Sequence, residues 1–388
     1  MEVIKLAEQY YKEAIKLSEY AFQYKVSEEK ITERIETLNK YHQLFGIVEQ
    51  EELIAKLHLI PFEIYIGQIK FKMGGIAGVA TYPEHRRNGN VKEMLIHSLK
   101  VMKAQGQTIS MLHPFSIPFY RKYGWEVLSN RIKITMTKND LYMLGETKGY
   151  VKRYVQENQF NDLQNTYEEF ATRFSGMLVR HNEWWKKNVI DDLKGAIYYD
   201  VLNSPKGYLL YSIKNSKMEI EEFIALDGEA KKGLWNFICQ HDSMINELVI
   251  TTYDNDPFFF SINNPMIKTE LSPYFMVRIV DVISFLQQYQ FDWPMMGIEQ
   301  SVILKVTDNF ANWNEGFFKV SNEKVIHEIN ANKEDVINLS INALSAMLLG
   351  YKRPKELFEL GIIQCKEKEM IKLESLIPKN KPFFNDFF

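Results

Sequence analysis

Cysteine is almost absent from this 388-residue chain, with only Cys239 and Cys365. Two cysteines cannot build a disulfide framework. Neither stands in a CxxC or a Cys/His cluster, which argues against structural zinc and fits a reducing compartment. No apolar run reaches the ~18 residues that a membrane-spanning helix needs. MEVIKLAEQYYKEA, at the start, is charged from residue 2 and lacks the apolar stretch of a signal peptide, so the expected location is cytoplasmic. An excess of either charge is also missing. Lys and Arg total 47 against 50 Asp and Glu, for a net charge of −3, which leaves no broad electrostatic footprint for nucleic acid. The phosphate loops GxGxxG and GxxxxGK[ST] do not describe the loop discussed below. His85 and His113 lie near that loop but not at metal-ligand spacing, so no metal is expected. Repeats, low-complexity tracts and Gly/Ser linkers are missing as well, so the units are expected to pack together.

Aromatics, by contrast, are abundant: 21 Tyr and 25 Phe contribute to a 13% share. Most are expected in cores, with some left to line a pocket. At ~100–200 residues per domain, the length suggests two to four domains. IKLAEQYYKEAIKLSEYAFQY, residues 4–24, sets Leu6, Tyr10, Ile15, Leu17 and Tyr20 at helical spacing, and Ser27 is placed to cap a second helix. The period then falls to two. QLFGIVEQEELIAKLHLIPFEIYIGQIKFKMGGIAGVATYP predicts an antiparallel meander. From Asn90 a helix is predicted with Met94, Leu95, Leu99 and Met102 on one face and Gly106 as its stop. TISMLHP reads as a strand, PFYRKYG as a short helix and WEVLSNRIKITMT as a strand. Mixed helices and strands continue to about residue 285. From near Phe291, strands SVILKV, GFFKV and KVIHEI precede helices DVINLSINALSAMLLG and KEKEMIKLESLIP. The expected fold is α+β in three units, 1–145, 146–288 and 289–388.

One segment reads as machinery: VATYPEHRRNGNVKEML, from Val79 to Leu95. A strand stops, a tight basic turn follows, and a helix opens at once. The first amides of a helix lack internal partners and sit at the positive end of its dipole, which makes an anion site. Gly89 allows close backbone approach, and Arg86, Arg87 and Lys92 add charge. The amides of residues 87–92 are placed to cradle a pyrophosphate. The alternative is a solvated basic turn before an amphipathic helix. RFSGML at 173–178 repeats the Arg-x-x-Gly spacing but follows a helical stretch, so it is set aside.

V-x-x-x-P-x-x-R-x-x-G-x-V, Val79 to Val91, resembles the acetyl-CoA-binding segment of the GNAT acetyltransferases, with Val91 where that signature usually has Gly or Ala. HRRNG followed by KEML, HPFSIPFYRKYGWEV at 113–127, VRIVDV at 277–282 and the aromatic tail PFFNDFF resemble the Eis-type (enhanced intracellular survival) N-acetyltransferases. That resemblance implies two GNAT-like mixed-sheet domains followed by a sterol-carrier-like domain, acetyl-CoA as co-substrate, and a homo-oligomer, a hexamer in the family. It also implies that the pantetheine arm adds beside Val79, Ala80 and Thr81, where two parallel strands splay. The pyrophosphate would then lie on Arg86, Arg87, Asn88, Gly89, Asn90, Val91 and Lys92, and Phe115 and Ser116 would touch the cofactor.

Acetyl transfer to an amine needs an acid for the leaving thiolate and a base for the amine. Tyr120, four residues before Gly124, matches the family's acid, with Tyr123 as competitor. KMGGIAGVATY carries no carboxylate to act as base. The resemblance assigns that role to the terminal carboxylate, here on Phe388; burial among Phe383, Phe384 and Phe387 would raise its otherwise low pKa. Asp386 is expected to attract a cationic amine, with Glu126 a weaker candidate. The central unit shows no second CoA loop. The acceptor expected is an amine of an aminoglycoside-like small molecule or of lysine. The alternative is a lipid-binding or regulatory protein whose GNAT domain is non-catalytic.

Overall fold

The computed structural model describes residues 2–155, 159–263, 266–293, 301–329 and 335–388. The long alternating stretch of the sequence forms its longest hairpin, Glu52–Ile66 with Ile69–Thr81, turned at Gly67 with φ +58°. These strands are the middle of a nine-stranded sheet. Its main path runs Ile4–Lys5, Gln43–Glu49, Glu52–Ile66, Ile69–Thr81, Ile109–Leu112, Met276–Ile279 and Glu126–Val127. Phe174–Leu178 adds at the far end of Glu52–Ile66 and pairs in turn with Lys381–Pro382, near the chain's end.

A seven-stranded second sheet runs Lys268–Pro273, Asn130–Thr137, Glu247–Thr252, Lys217–Ala225, Pro205–Lys214, Lys194–Tyr199 and Tyr150–Tyr154. A four-stranded third sheet runs Val325–Glu328, Gly316–Ser321, Ser301–Thr307 and Val336–Ser340. The first two sheets trade strands. Asn130–Thr137 follows Glu126–Val127 in the chain but pairs in the second sheet. Met276–Ile279 returns to the first, between Ile109–Leu112 and Glu126–Val127. A cut at 145 therefore does not separate the first two sheets, while the whole third sheet lies beyond 288.

Two local expectations are corrected. The predicted helix over 4–24 begins only at Tyr11, because Ile4 and Lys5 pair with Gly46 and Phe45. In DVINLSINALSAMLLG, Val336–Ser340 is a strand, in parallel register with Ser301–Thr307, and the helix starts at Ile341. Ser340 divides them: its side chain accepts from the Ala343 amide and caps the helix. The β-branched Val336 and Ile337 suit the strand, and tertiary pairing overrides the apparent helical period.

The helix Asn90–Ala104 covers one face of the first sheet. Met94, Leu95, Leu99 and Met102 are fully buried there against Ala55, Leu57, Leu59 and Ile76, as their spacing predicts. Burying each such side chain stabilises by about 1.5–3 kcal/mol. Ile60, Phe62 and Ile64 alternate to the opposite face, whose core is continuous with that of the third sheet.

A buried ion pair ties the first sheet to the C-terminal unit. Arg278 and Asp308 are paired at 2.6 Å with both side chains 0% exposed. Arg278 also donates to the Tyr123 carbonyl; Asp308 also accepts from the Phe310 and Ala311 amides and the Asn314 side chain. Gly124, at φ +92°, leaves room for this guanidinium that any Cβ would fill. Asp308→Ala strands a buried cation and is expected to cost about 3–5 kcal/mol in denaturant unfolding of the full chain. The pair of changes Arg278→Met and Asp308→Leu is expected to recover most of that loss.

Candidate active site

The hairpin partner of Ile69–Thr81 holds one edge of that strand to its end, while the other edge is released early. Antiparallel pairing with Glu52–Ile66 runs as far as Ala55↔Thr81. Parallel pairing with Ile109–Leu112 starts at Met73↔Ile109 and ends at Ile76↔Leu112. From Ala77 to Thr81, that second edge has no ladder partner among the described residues. The strands splay where Val79, Ala80 and Thr81 lie. A β-bulge marks the point: register shifts between Lys56 and His58, and Gly78 takes φ +54°. Bulges re-aim backbone groups, and this conformation favours glycine.

Beyond Thr81 the chain makes a short 3-10 turn at Pro83–His85 and enters the basic loop. Arg86, Arg87, Asn88, Gly89 and Lys92 are exposed, Val91 is half-buried and Asn90 is buried. Asn90 holds the loop by donating to the His85 carbonyl at 3.0 Å, and Arg86 Nε donates to the Thr81 carbonyl at 3.3 Å. Arg87 and Gly89 both have positive φ, +65° and +85°. A non-glycine residue in that region costs of order 1–3 kcal/mol, and such strain concentrates at ligand clamps. No side chain caps the helix at Gly89, and a Cβ there would meet nothing within 4 Å. The helix N-terminus is thus open to an anion.

Tyr120 lies on the short helix Ile117–Arg121, 3% exposed, in the same cluster as Ile76, Leu112 and the helix Asn90–Ala104. Burial raises its phenol well above the ordinary value. Phe115, strongly exposed, and Phe119 meet it edge to face, while Tyr123 packs on Phe310. Ser116 is half-buried at the start of that helix.

Phe388 comes from the other face. Its ring packs on Phe62 at 4.9 Å and Phe275 at 5.0 Å, and a Cβ on Gly75 would lie 2.8 Å from it. Gly75 is one residue before the ladder ends. Phe383 and Phe384 are buried, as expected, but Phe387 is 60% exposed.

Asp386 requires a correction. It was expected to meet a cationic amine, but its side chain is buried and committed. It takes Arg180 Nε at 2.9 Å and Trp184 Nε1 at 2.7 Å. Arg180 also pairs with Glu222, whose carboxylate accepts from Tyr208 and Asn385, and its guanidinium stacks 3.9 Å from the Tyr167 ring centroid. Burial pushes the Asp386 carboxyl up from its ordinary value while Arg180 opposes this. The network docks the tail onto the second sheet. Glu126 is committed too, in a forked contact with Arg121.

The second sheet repeats the splay without the loop. Lys217–Ala225 pairs in parallel with Glu247–Thr252 only as far as Ile220↔Ile250. Asn385 binds the Glu221 carbonyl just beyond that point. Strand and helix are separated only by Leu226 and Asp227, and the Asp227 carboxylate caps the helix by accepting from the Ala230 amide. That carboxylate takes the place an anionic ligand would need.

Sequence reasoning missed three basic residues beside the bulge, Lys56, His58 and His42. The signal was present in LIAKLHLI, where two polar residues stand at alternate positions of an otherwise apolar strand. Among the described residues, no cluster of three or more His, Cys, Asp or Glu is arranged to hold a metal, and no helix is long and apolar enough to cross a membrane.

Comparison with known proteins agrees with this geometry. Residues 2–128 and 176–279 each match an acetyltransferase (GNAT) domain family, and residues 282–385 match a sterol carrier protein domain. The chain belongs to the GNAT acetyltransferases. Its three-unit architecture is shared end to end with a probable N-acyltransferase from Enterococcus faecalis (26% identity, 100% of this chain and 99% of that one, TM-score 0.92). Eis1 of Mycobacterium abscessus has the same fold (17% identity, 100% of both chains, TM-score 0.82). An uncharacterized N-acetyltransferase of Streptomyces avermitilis is 21% identical over 81% of each chain. This GNAT chain is an acetyltransferase with a sterol-carrier-like C-terminal unit.

The tail network generates a test. Asp386→Ala removes charge-assisted hydrogen bonds worth about 1.5–3 kcal/mol each and is expected to loosen residues 383–388. Carboxypeptidase should then release Phe388 and Phe387 faster than from the parent protein. Equal release rates would show that aromatic packing alone holds the tail.

Proposed function

We propose that this acetyltransferase moves an acetyl group from acetyl-CoA to a primary amine by direct attack. The observation that carries the reading is the ladder that stops at Ile76↔Leu112, immediately before an open, basic helix N-terminus. The free edge of Val79, Ala80 and Thr81 offers amides and carbonyls to a pantetheine arm. Arg86, Arg87, Asn88, Gly89, Asn90, Val91 and Lys92 form the cradle for its pyrophosphate. A backbone amide at Val79 would face the developing oxyanion. Phe115 and Ser116 border the same opening.

Acid and base approach from opposite faces of the sheet. Tyr120 is the acid. Burial keeps its phenol protonated across the neutral range, and the same water-poor setting raises the pKa of the departing thiolate, so the proton has a taker. The Phe388 carboxylate stands on the base side, delivered by its docked tail. The acceptor is an amine of a small molecule or of lysine. The lipid-carrier alternative has no comparable support, since the helix Ile341–Leu348 is buried on almost every side as core.

Thiol release from acetyl-CoA by the untagged protein, with aminoglycosides, polyamines and lysine peptides as acceptors, tests this reading. Tyr120→Phe is expected to slow turnover by about 10²–10⁴-fold with little change in acetyl-CoA affinity. Removal of Phe387 and Phe388 is expected to abolish turnover and spare acetyl-CoA binding. Full activity in both variants would overturn the assigned acid and the tail's part on the base side.

A further inference from the structure

Lys56 has no exposed surface; its side-chain partner is His58, and no carboxylate among the described residues acts on its charge. An unpaired ammonium is costly to bury, so this lysine needs another account. Its Nζ lies 2.9 Å from His58 Nε2, and His58 Nδ1 lies 3.0 Å from His42 Nδ1. His42 is half-buried, at the end of the helix Glu28–Tyr41, so the chain of contacts runs from the interior toward solvent. Its inner end is at the bulge. A Cβ built on Gly78 would stand 2.9 Å from Lys56 Nζ and 3.2 Å from the His58 ring. Lys56 and His58 also share the sheet face of Phe62, on which Phe388 packs, opposite the helix Asn90–Ala104 and Tyr120.

Proton counting narrows what such a cluster can do. One hydrogen fits between Lys56 and His58, and one between His58 and His42. With all three groups neutral, Lys56 donates to His58 Nε2, His58 Nδ1–H donates to His42 Nδ1, and His42 keeps its hydrogen on Nε2. One excess proton can enter at Lys56 and leave at His42 by shifting each hydrogen along its bond.

We propose that Lys56, His58 and His42 form a proton relay that takes the proton shed by the acceptor amine and passes it to solvent. This rests on the acetyltransferase reading above and deepens its base side. As the amine nitrogen bonds to the acetyl carbon, its N–H proton passes to the lone pair of neutral Lys56. Lys56 gives a proton to His58 Nε2, His58 gives its Nδ1 proton to His42 Nδ1, and His42 releases its Nε2 proton. The carbon–sulfur bond breaks, and the thiolate takes the proton of Tyr120. The Phe388 carboxylate then serves to hold the amine beside Lys56.

The electrostatics favour a neutral Lys56, while the lower-lying histidines make each onward transfer uphill until His42 gives its proton to water. Burial lowers Lys56 to about 7, with Arg34 of the helix Glu28–Tyr41 adding to the effect. Burial also lowers His42 to about 4 and His58 well below its usual range; Lys56 and Arg34 push both the same way, and His42 adds to the shift of His58. These are the charged and titrating groups that face the cluster, and Gly78 on the neighbouring strand brings none. At neutral pH a large share of Lys56 is therefore an unprotonated amine, which a base must be.

The test is the pH dependence of thiol release from acetyl-CoA, with the acceptor panel above, for the full chain and two variants. For the parent protein, kcat is expected to rise with pH through an ionisation near 7. Lys56→Met should fall about 10²–10⁴-fold and lose that rise, and His42→Gln, which holds the hydrogen bond but cannot release the relayed proton, should fall with an unchanged KM for acetyl-CoA. A folding control is built in. Because Lys56 titrates lower when folded than unfolded, the parent's melting temperature should climb between pH 7 and 10 more than that of Lys56→Met. A parent-like profile in folded Lys56→Met overturns the relay alone and leaves the acetyltransferase reading standing. Absence of amine-dependent release from the parent overturns both.

Discussion

A ladder of four residue pairs between Ile69–Thr81 and Ile109–Leu112, and its abrupt end at Ile76↔Leu112, is the constraint on which the rest of this molecule turns. Backbone amides and carbonyls buried without partners are expensive, so a strand released on one edge is unstable unless something else takes its groups. The hairpin with Glu52–Ile66 keeps the other edge paired up to Thr81. The bulge at Gly78 absorbs the change of direction. The helix Asn90–Ala104, locked by four fully buried apolar side chains, fixes where its own N-terminus points. The opening is thus a product of rigid elements, and the strained Arg87 sits on a scaffold able to hold it.

Much of the first sheet was legible because its patterns are local. Period-two alternation over residues 43–81, the return to helical spacing at Asn90 and the turn glycines each specify an element without reference to the rest of the chain. Tyr120 is singled out by the resemblance of its segment to the Eis type, since no local pattern separates it from the other tyrosines. The features that escaped are non-local. Nothing near Asn130–Thr137 or Met276–Ile279 announces that the two strands are exchanged between sheets. Asp386, expected to attract a cationic amine, shows the same limit. It looks like a free tail carboxylate until Arg180, 206 residues earlier in the chain, is folded against it. Lys56 and His58 are two residues apart in sequence, but their meaning depends on His42 and on a glycine in another strand.

The two sheets use one geometry for opposite ends. In the first, the splay leads to an exposed basic loop with Gly89 and an uncapped helix. In the second, the loop has shrunk to Leu226 and Asp227, the helix is capped by a carboxylate, and the tail's Asn385 binds beside the end of the ladder. A helix N-terminus that already holds Asp227 has little to offer a phosphate, since the ligand would have to displace a carboxylate and repel it. The second splay has become a socket for the chain's own end.

That socket makes chemistry at the first sheet conditional on the other two units. Phe388 reaches Gly75 only because Asp386 and Asn385 are fastened to Arg180 and Glu222, and because Lys381–Pro382 pairs with Phe174–Leu178. Arg180 is held in turn between carboxylates and the Tyr167 and Trp185 rings, so its position is a property of the packed central unit. The C-terminal unit is joined to the same sheet through Arg278 and Asp308, and it supplies the chain that leads to the tail. On the proposed chemistry, the N-terminal unit holds the cofactor, the acid and the relay, but it does not hold the terminal carboxylate. A carboxylate whose placement depends on two other packed units is available only when the whole chain is folded, so partially folded forms would bind the cofactor without spending it.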